Sequence, residues 1–203
     1  MNYKQILISG FLLWMFSVIG TTLVAVTQQQ TEQQILDNEK KFLLRNLYAL
    51  LPKHELDNDM TQDTIMVEAS ALLGTEAPTI VYRARKGNKS IAAIFNSIAP
   101  DGYSGKIHLL IGIYYDGRIA GVRVVKHNET PGLGDAIEVR KSNWILGFDT
   151  KSLISPAISE WKVKRDDGHF DQMTGATITP RAIVKAVKNT LLYFNDHKEE
   201  LFQ

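Results

Sequence analysis

The amino-terminal part of the chain is dominated by one uninterrupted apolar segment. From Ile6 to Val26 the chain runs for 21 residues without a charged side chain. About 20 helical residues cross a hydrocarbon core about 30 Å thick, so the segment predicts a single transmembrane helix over 6–26. A buried helix of a soluble domain and a cleaved signal peptide are the alternatives. Few residues precede the segment to bury such a helix. The signal peptide fits little better. Its apolar region usually has about 7–15 residues before a small-x-small cleavage site, which Leu23–Ala25 matches poorly.

The charges that flank this segment bear on its orientation. Lys4 precedes the span, whereas residues 27–39 contain neither Lys nor Arg. Positive residues are retained on the cytoplasmic side of membrane helices, so the pattern favours a cytoplasmic end at 1–5 and the remainder of the chain outside. Long domains cross regardless of charge, so this rule alone leaves the orientation open.

Beyond the span, a polar stretch over 28–34 is followed by apolar residues at helical spacing that end before Pro52. They are Ile35, Phe42, Leu43, Leu47, Leu50 and Leu51. This spacing predicts a helix that leads away from the membrane. Residues 53–65 are polar and rich in turn formers, which indicates an irregular linker. We therefore assign 27–65 as a connecting helix and linker.

The rest of the chain carries strand signals first and helix signals afterwards. Turn sequences at Lys86–Lys89 and Asp116–Gly117 separate apolar runs into two hairpins, whose strands are predicted at 79–84, 91–95, 106–115 and 118–126. Helical spacing follows at 136–142 and, more clearly, at 180–194. Strands grouped together with helices packed beside them predict an α+β domain with an antiparallel sheet over 66–203.

Composition removes several classes of function. Lys and Arg together number 23 against 22 Asp and Glu, so the net charge of +1 gives no electrostatic support for nucleic-acid binding. The absence of cysteine excludes disulfide scaffolds, thiolate zinc sites, iron–sulfur clusters and thiol nucleophiles. The five histidines have no metal-ligand spacing, so no metal site is predicted.

One candidate site lies just before the last predicted helix. The segment 171–180 reads DQMTGATITP, in which Thr179 suits the N-cap position and Pro180 the first helical position. Gly175 permits a close approach of the backbone to a neighbouring group. A helix amino terminus also presents unpaired N–H groups and a positive dipole end, where a phosphate can bind. Taken alone, however, the segment is an ordinary capped helix start.

A second segment with turn signals follows the last predicted strand. It spans 127–135 and reads HNETPGLGD, in which Pro131-Gly132 and the following Gly134 are turn signals. His127, a lone loop histidine, is expected to be exposed. The charge run over 162–167 is expected to be a solvated turn.

Together the two segments resemble the FMN-binding domain family. Asp171-x-x-Thr174-Gly-Ala-Thr177 before a helix resembles that family's covalent flavinylation motif. In the family, a flavin transferase joins FMN through a phosphoester to the final threonine, and the resemblance therefore implies covalent FMN on Thr177. The block from Glu129 to Gly134 resembles a family segment close to the flavin. This resemblance implies that its two glycines let the backbone approach the flat ring and that Thr130 bonds to the ring's polar edge. The further cofactor-binding residues implied are Asp171, Thr174, Gly175, Ala176, Thr179, Glu129, Thr130, Gly132 and Leu133.

Anchor and domain together resemble the G-subunit family of Rnf-type electron transport complexes. The resemblance implies a flavoprotein subunit of an ion-translocating complex that links ferredoxin and NADH. It also implies other membrane subunits as partners, and a single-pass location in the bacterial inner membrane with a periplasmic domain. The implied role is electron carriage, so no catalytic acid, base or nucleophile is expected. Two alternatives stay open: a C-type subunit of a sodium-pumping NADH–quinone reductase, and a membrane-anchored binding module without cofactor.

Overall fold

The chain begins with one long helix. The computed structural model describes residues 3–87 and 89–203, and α1 spans Tyr3–Leu50 without a break. The polar stretch 28–34 stays helical because neither Gly nor Pro interrupts the chain between Gly20 and Pro52. Among the described residues, α1 is the one helix long and apolar enough to span a membrane, and none of its most apolar window is buried.

Two compact units divide the described chain after residue 44. The first is α1 up to Leu44, and the second comprises Arg45–Gln203. Of the predicted cytoplasmic end 1–5, residues 1 and 2 lie outside the described residues. The same holds for residue 88 of the first predicted turn, in which Gly87 adopts a φ of 57°.

The second unit is built on a five-stranded antiparallel meander in the order β1-β2-β3-β4-β5. Its strands are β1 (Thr64–Val67), β2 (Thr79–Lys86), β3 (Lys89–Ala99), β4 (Ile107–Tyr114) and β5 (Ile119–Lys126). The four predicted strands and the antiparallel α+β architecture are confirmed. The edge strand β1 was not predicted. It begins inside the segment expected to be a linker, and its four residues are too few for a periodic signal.

Helix α2 (Ile178–Leu201) covers one face of this sheet. The ring of Phe95 on β3 meets Tyr193 and Phe194 edge-on, at centroid distances of 6.1 and 6.2 Å. The hydroxyls of Ser97 and Thr190 form a fully buried hydrogen bond of 2.9 Å between the same two elements. These contacts fix the position of α2, and therefore of its amino terminus, on the sheet.

The last turn of α1 covers the opposite face of the sheet. Leu47 and Leu50 are buried there, and a Cβ on Gly121 would lie only 2.9 Å from the Leu50 side chain. On β4, Ile111 belongs to the core beneath α2, whereas its neighbour Leu110 is buried on the other side. Burial on both faces explains why the β4 sequence is continuously apolar and does not alternate.

The predicted helix over 136–142 is wrong. The chain there forms a 3-10 turn at Gly134–Ile137 and isolated turns up to a second 3-10 segment at Trp144–Phe148. The Ser142 hydroxyl donates to the carbonyl of Ala136 at 2.6 Å. Such side-chain bonds to the backbone compete with the regular helical ladder, and apolar spacing alone does not reveal them.

We expect Phe95→Ala to lower the free energy of unfolding of the purified chain by about 3–5 kcal/mol, because it empties a fully buried site between β3 and α2. Urea titration in detergent, followed by tryptophan fluorescence, measures the loss. Ile80→Ala, on the partly exposed neighbouring strand, should stay within about 0.5 kcal/mol of the wild type. Equal losses in the two variants would contradict this description of the core.

Candidate functional site

The two segments singled out in the sequence meet at the amino terminus of α2. A pocket of about 510 Å³ lies there, within the range of about 300–1,000 Å³ that is usual for small-molecule sites. Seven residues predicted from the sequence line it, namely Glu129, Thr130, Leu133, Gly175, Ala176, Thr177 and Thr179. The pocket thus joins residues that are more than forty positions apart in the chain.

Three other predicted residues do not line the pocket. Gly132 belongs to the same loop, where its φ of 78° fits the turn. Thr174 is exposed to solvent. Asp171 faces a separate groove, where its carboxylate pairs with Lys164 at 2.6 Å and its carbonyl accepts a hydrogen bond from Trp144 Nε1 at 2.7 Å.

Four lining residues were missed in the sequence: Tyr103, Arg165, Ile178 and Arg181. The fifth further lining residue, Gly134, belongs to the block that resembles the family segment. Tyr103 and Ile178 come from a loop and a helix end with no periodicity. Arg165 lies in the expected solvated turn, whose basic side chains are exposed as predicted, whereas Val163 within it is fully buried. Arg165 itself also lines the pocket. For Tyr103 alone the sequence offered a signal, an aromatic residue between Gly102 and Gly105 in a segment with turn residues.

A buried acidic side chain connects three segments of the wall. Glu129 is only 4% exposed, and its Oε1 accepts the Ser104 N–H at 3.0 Å. Its Oε2 accepts a hydrogen bond from the Thr179 hydroxyl on α2. The backbone packs closely around the carboxyl group: a Cβ on Gly102 or Gly134 would lie 3.0 or 2.9 Å from its oxygens. Gly134 is therefore required by the space that Glu129 occupies, whereas a Cβ on Gly102 would meet the Gly105 carbonyl oxygen first, at 2.3 Å.

The prediction that Thr179 caps α2 is wrong. The helix begins at Ile178 with Thr177 in the N-cap position, and no side chain caps it. Thr179 is fully buried, and its hydroxyl is engaged by Glu129. A buried carboxyl group left without a donor costs more than an uncapped helix end, which water can satisfy. Pro180 still lies in the first turn, where its missing N–H is not needed.

Two side chains hold the loop that follows β5. Asp135 accepts the Gly132 N–H at 2.9 Å and pairs with Lys141. The Lys141 ammonium, and to a lesser degree the Gly132 N–H, lower the pKa of Asp135 below its ordinary value. The carboxylate form is therefore favoured, and it keeps the loop closed around the glycine turn.

His127 stabilises the start of the same loop. Its side chain is only 13% exposed, so the expectation of an exposed histidine is wrong. Nδ1 accepts the Glu129 N–H at 3.0 Å, and Nε2 lies 3.3 Å from Glu138 Oε1. This pattern assigns the proton to Nε2 and leaves the imidazole as a bridge between the loop and Glu138.

Two arginines line the pocket near Thr177, and they have different partners. Arg181 binds Asp166 through two hydrogen bonds of 2.6 and 2.5 Å, and this contact lowers the pKa of Asp166. The Arg165 guanidinium instead places Nη1 3.5 Å from the Thr177 hydroxyl oxygen. The half-buried Thr177 hydroxyl thus faces a basic side chain across the pocket wall.

The arrangement suits an anionic organic ligand better than a metal ion. Within residues 3–87 and 89–203, no group of three or more His, Asp or Glu side chains is arranged to hold a metal ion. The wall combines hydroxyl groups, the N–H groups of a helix start and an arginine with exposed apolar surface on Tyr103, Leu133 and Ile178.

Comparison with known families matches both parts of the chain. The profile described as "FMN-binding domain" matches residues 102–192, a range that contains every residue lining the pocket. The profile described as "RnfG N-terminal region" matches residues 1–50.

Curated relatives are similar over nearly the whole length. The G subunit of the ion-translocating oxidoreductase complex of Pseudoalteromonas atlantica is 46% identical over 98% of this chain and 93% of its own. The proteins of the same name from Shewanella baltica and Pseudomonas aeruginosa are 48% and 47% identical, over 96% and 98% of this chain and 92% of their own. Among solved structures, NqrC of Shewanella oneidensis is 23% identical with a TM-score of 0.48, covering 70% of this chain and 75% of that one.

We expect Thr179→Val to destabilise the chain by about 1–3 kcal/mol, because it keeps the side-chain shape but leaves Glu129 Oε2 buried without its donor. Thr179→Ser restores the hydroxyl and should recover part of the loss. Thr174→Val, at an exposed position outside the pocket, serves as the control. Urea unfolding measures all three variants, and equal stability of Thr179→Val and Thr174→Val would refute the importance of this hydrogen bond.

Proposed function

This chain belongs to the family of G subunits of ion-translocating oxidoreductase complexes, and on that premise we propose that it carries electrons within such a complex on FMN joined covalently to Thr177. The observation that carries the proposal is the position of Thr177. Its hydroxyl is half-buried in the wall of a 510 Å³ pocket, at the start of α2 and opposite Arg165.

The other threonines near the pocket are less suited to attachment. Thr174 is exposed and does not line the pocket, and the Thr179 hydroxyl is buried against Glu129. Thr130 lines the pocket and is exposed, so it is the competing hydroxyl on geometric grounds. The resemblance of 171–177 to the flavinylation motif favours Thr177 over Thr130.

The surroundings of Thr177 fit a phosphoester. The first N–H groups of α2 have no partner within the helix and lie at its positive dipole end, which favours an anion. Gly175 adopts a φ of 79°, and a Cβ there would lie 3.2 Å from the Leu133 side chain. The absence of a side chain at Gly175 therefore lets the two motif segments close around one pocket.

The exposed apolar residues of the pocket fit an aromatic ring. Tyr103 is 66% exposed, and Leu133 and Ile178 are each 46% exposed, which is unusual for large apolar side chains clustered on one wall. A bound ring system would cover part of this surface. FMN supplies the redox chemistry when bound, whereas the protein supplies position and electrostatics.

The wider assignment follows from the family. We infer that residues 66–203 form the FMN-binding domain on the periplasmic side of the bacterial inner membrane, that α1 anchors it, and that a flavin transferase attaches the cofactor. Other membrane subunits of the complex are its redox partners, in electron flow between ferredoxin and NADH.

The two alternative functions are less well supported. Membership of the G-subunit family argues against a C-type quinone-reductase subunit. The match to an FMN-binding domain argues against a binding module without cofactor.

Thr177→Val should abolish covalent flavin and leave the fold intact, because it removes the only atom that forms the ester while keeping the branched side chain. The full chain is expressed together with its transferase. In-gel flavin fluorescence under denaturing conditions and intact mass then measure the attachment.

Thr177→Ser should retain covalent flavin because it keeps the hydroxyl. Thr130→Val is the matched control, because it removes the competing hydroxyl of the pocket, and it should retain covalent flavin. Flavin retained in Thr177→Val, or lost only in Thr130→Val, would refute Thr177 as the attachment site.

The proposed orientation is tested by reporters fused after Gln203. An enzyme that folds only after export should be active in this position, and a fluorescent protein that matures only in the cytoplasm should stay dark. The physical basis is the retention of Lys4 on the cytoplasmic side, while residues 27–39 offer no positive charge to hold the domain there. The opposite pair of results would reverse the orientation.

A further inference from the structure

We propose that Arg165 binds the phosphodiester that joins FMN to Thr177 and thereby promotes attachment of the cofactor. The inference rests on the proposed function, and it assigns a role to a residue that the sequence placed in a solvated turn. Its starting point is the contact between the guanidinium and the hydroxyl: Nη1 lies 3.5 Å from Thr177 Oγ1.

The attachment step creates a charge where none was present. The Thr177 oxygen attacks the phosphorus of an FMN phosphoanhydride, a new O–P bond forms, and the anhydride P–O bond breaks. The leaving phosphate keeps the electron pair of that bond, and the hydroxyl proton passes to a base or to water. No group is oxidised or reduced. The neutral hydroxyl is replaced by a phosphodiester with one negative charge, so the pocket needs a cation next to Oγ1.

Arg165 is the cation available for this purpose. Two basic side chains, Arg165 and Arg181, line the pocket, and Arg181 is already engaged in two short hydrogen bonds with Asp166. Among the residues that the structure describes, Arg165 forms no ion pair, and its charge has only a minor effect on the pKa of Asp166 compared with that of Arg181. Apart from the contact of Nη1 with Thr177, its N–H groups are therefore available to an incoming anion.

The neighbouring charges do not replace it. Lys164, next in the chain, pairs with Asp171 at 2.6 Å and borders a different groove. Glu129 on the pocket wall is an acidic group, so it offers no compensation for a phosphate. The free oxygens of a phosphate on Thr177 are two covalent bonds from Oγ1. The planar guanidinium of Arg165 can donate hydrogen bonds to two such phosphate oxygens at once.

The experiment measures the initial rate of flavin attachment to the purified full chain, with purified transferase and its flavin donor. Intact mass and in-gel fluorescence follow the product. Arg165→Gln should slow attachment roughly 10- to 100-fold, the effect of losing a hydrogen bond to a charged group. Arg165→Lys keeps the charge and should recover most of the rate. Lys162→Gln removes the same charge from the same exposed segment, outside the pocket, and should react like the wild type.

A second measurement separates phosphate binding from recognition by the transferase. The melting temperature of flavin-loaded chain is compared with that of unloaded chain, for the wild type and for Arg165→Gln driven to full loading. If Arg165 binds the phosphodiester, the gain in melting temperature on loading is smaller in the variant. A slower rate with an unchanged gain would mean that the transferase reads Arg165 directly, and would overturn the inference.

The remaining outcomes are also decisive. An unchanged rate in Arg165→Gln, or an equal loss in Lys162→Gln, overturns the role of Arg165 and leaves Thr177 as the proposed attachment site. Failure of the wild-type chain to accept flavin under the same conditions overturns the proposed function and this inference together. The two failures are thus distinguishable.

Discussion

The pocket depends on a buried carboxyl group that must be satisfied by hydrogen bonds. Glu129 draws one donor from the loop before β4 and one from the first turn of α2, and it belongs to the loop after β5. Three segments without a common secondary structure are thereby held at fixed positions. Loss of either donor would leave a Glu129 oxygen buried and unpaired. Displacement of any of the three segments is therefore costly in free energy. The glycine at 134 follows from the same constraint, since a Cβ there would lie 2.9 Å from Glu129 Oε2.

This hydrogen-bonded junction is useful only because α2 itself cannot shift. The sheet is buried on both faces, by α2 on one and by the last turn of α1 on the other. Phe95 and the Ser97–Thr190 hydrogen bond fix α2 on the sheet, and Thr179 in the first turn of the helix binds Glu129 in the loop after β5. A site on the end of a well-packed helix is more rigid than one built from loops alone. Such rigidity suits a protein that holds a redox group at a set distance from its partners.

Periodicity in the sequence predicts the parts of the fold that packing determines. The four long strands and α2 have continuous or amphipathic apolar patterns, and all were found. The short edge strand β1 and the turns over 136–142 depend on a few specific bonds, such as that from the Ser142 hydroxyl to Ala136, and no pattern reveals them. The same limit applies at the site. Both motif segments were identified, but the partner of Thr179 and the approach of Arg165 to Thr177 arise from chain segments that only the tertiary fold brings together.

Adjacent motif residues have different tasks because the chain turns sharply between them. Gly175, with a φ of 79°, reverses the backbone after Thr174, so Thr174 faces solvent while Ala176 and Thr177 enter the pocket wall. Asp171, four residues before the turn, is held outside the pocket: Lys164 binds its carboxylate, and the Trp144 indole binds its carbonyl. These two bonds secure the segment that leads into the turn. The short motif therefore has three parts: a segment held by the contacts of Asp171, a sharp turn at Gly175, and the Thr177 hydroxyl on the pocket wall. The position of Thr177 depends on the turn, and the position of the turn depends on the segment before it.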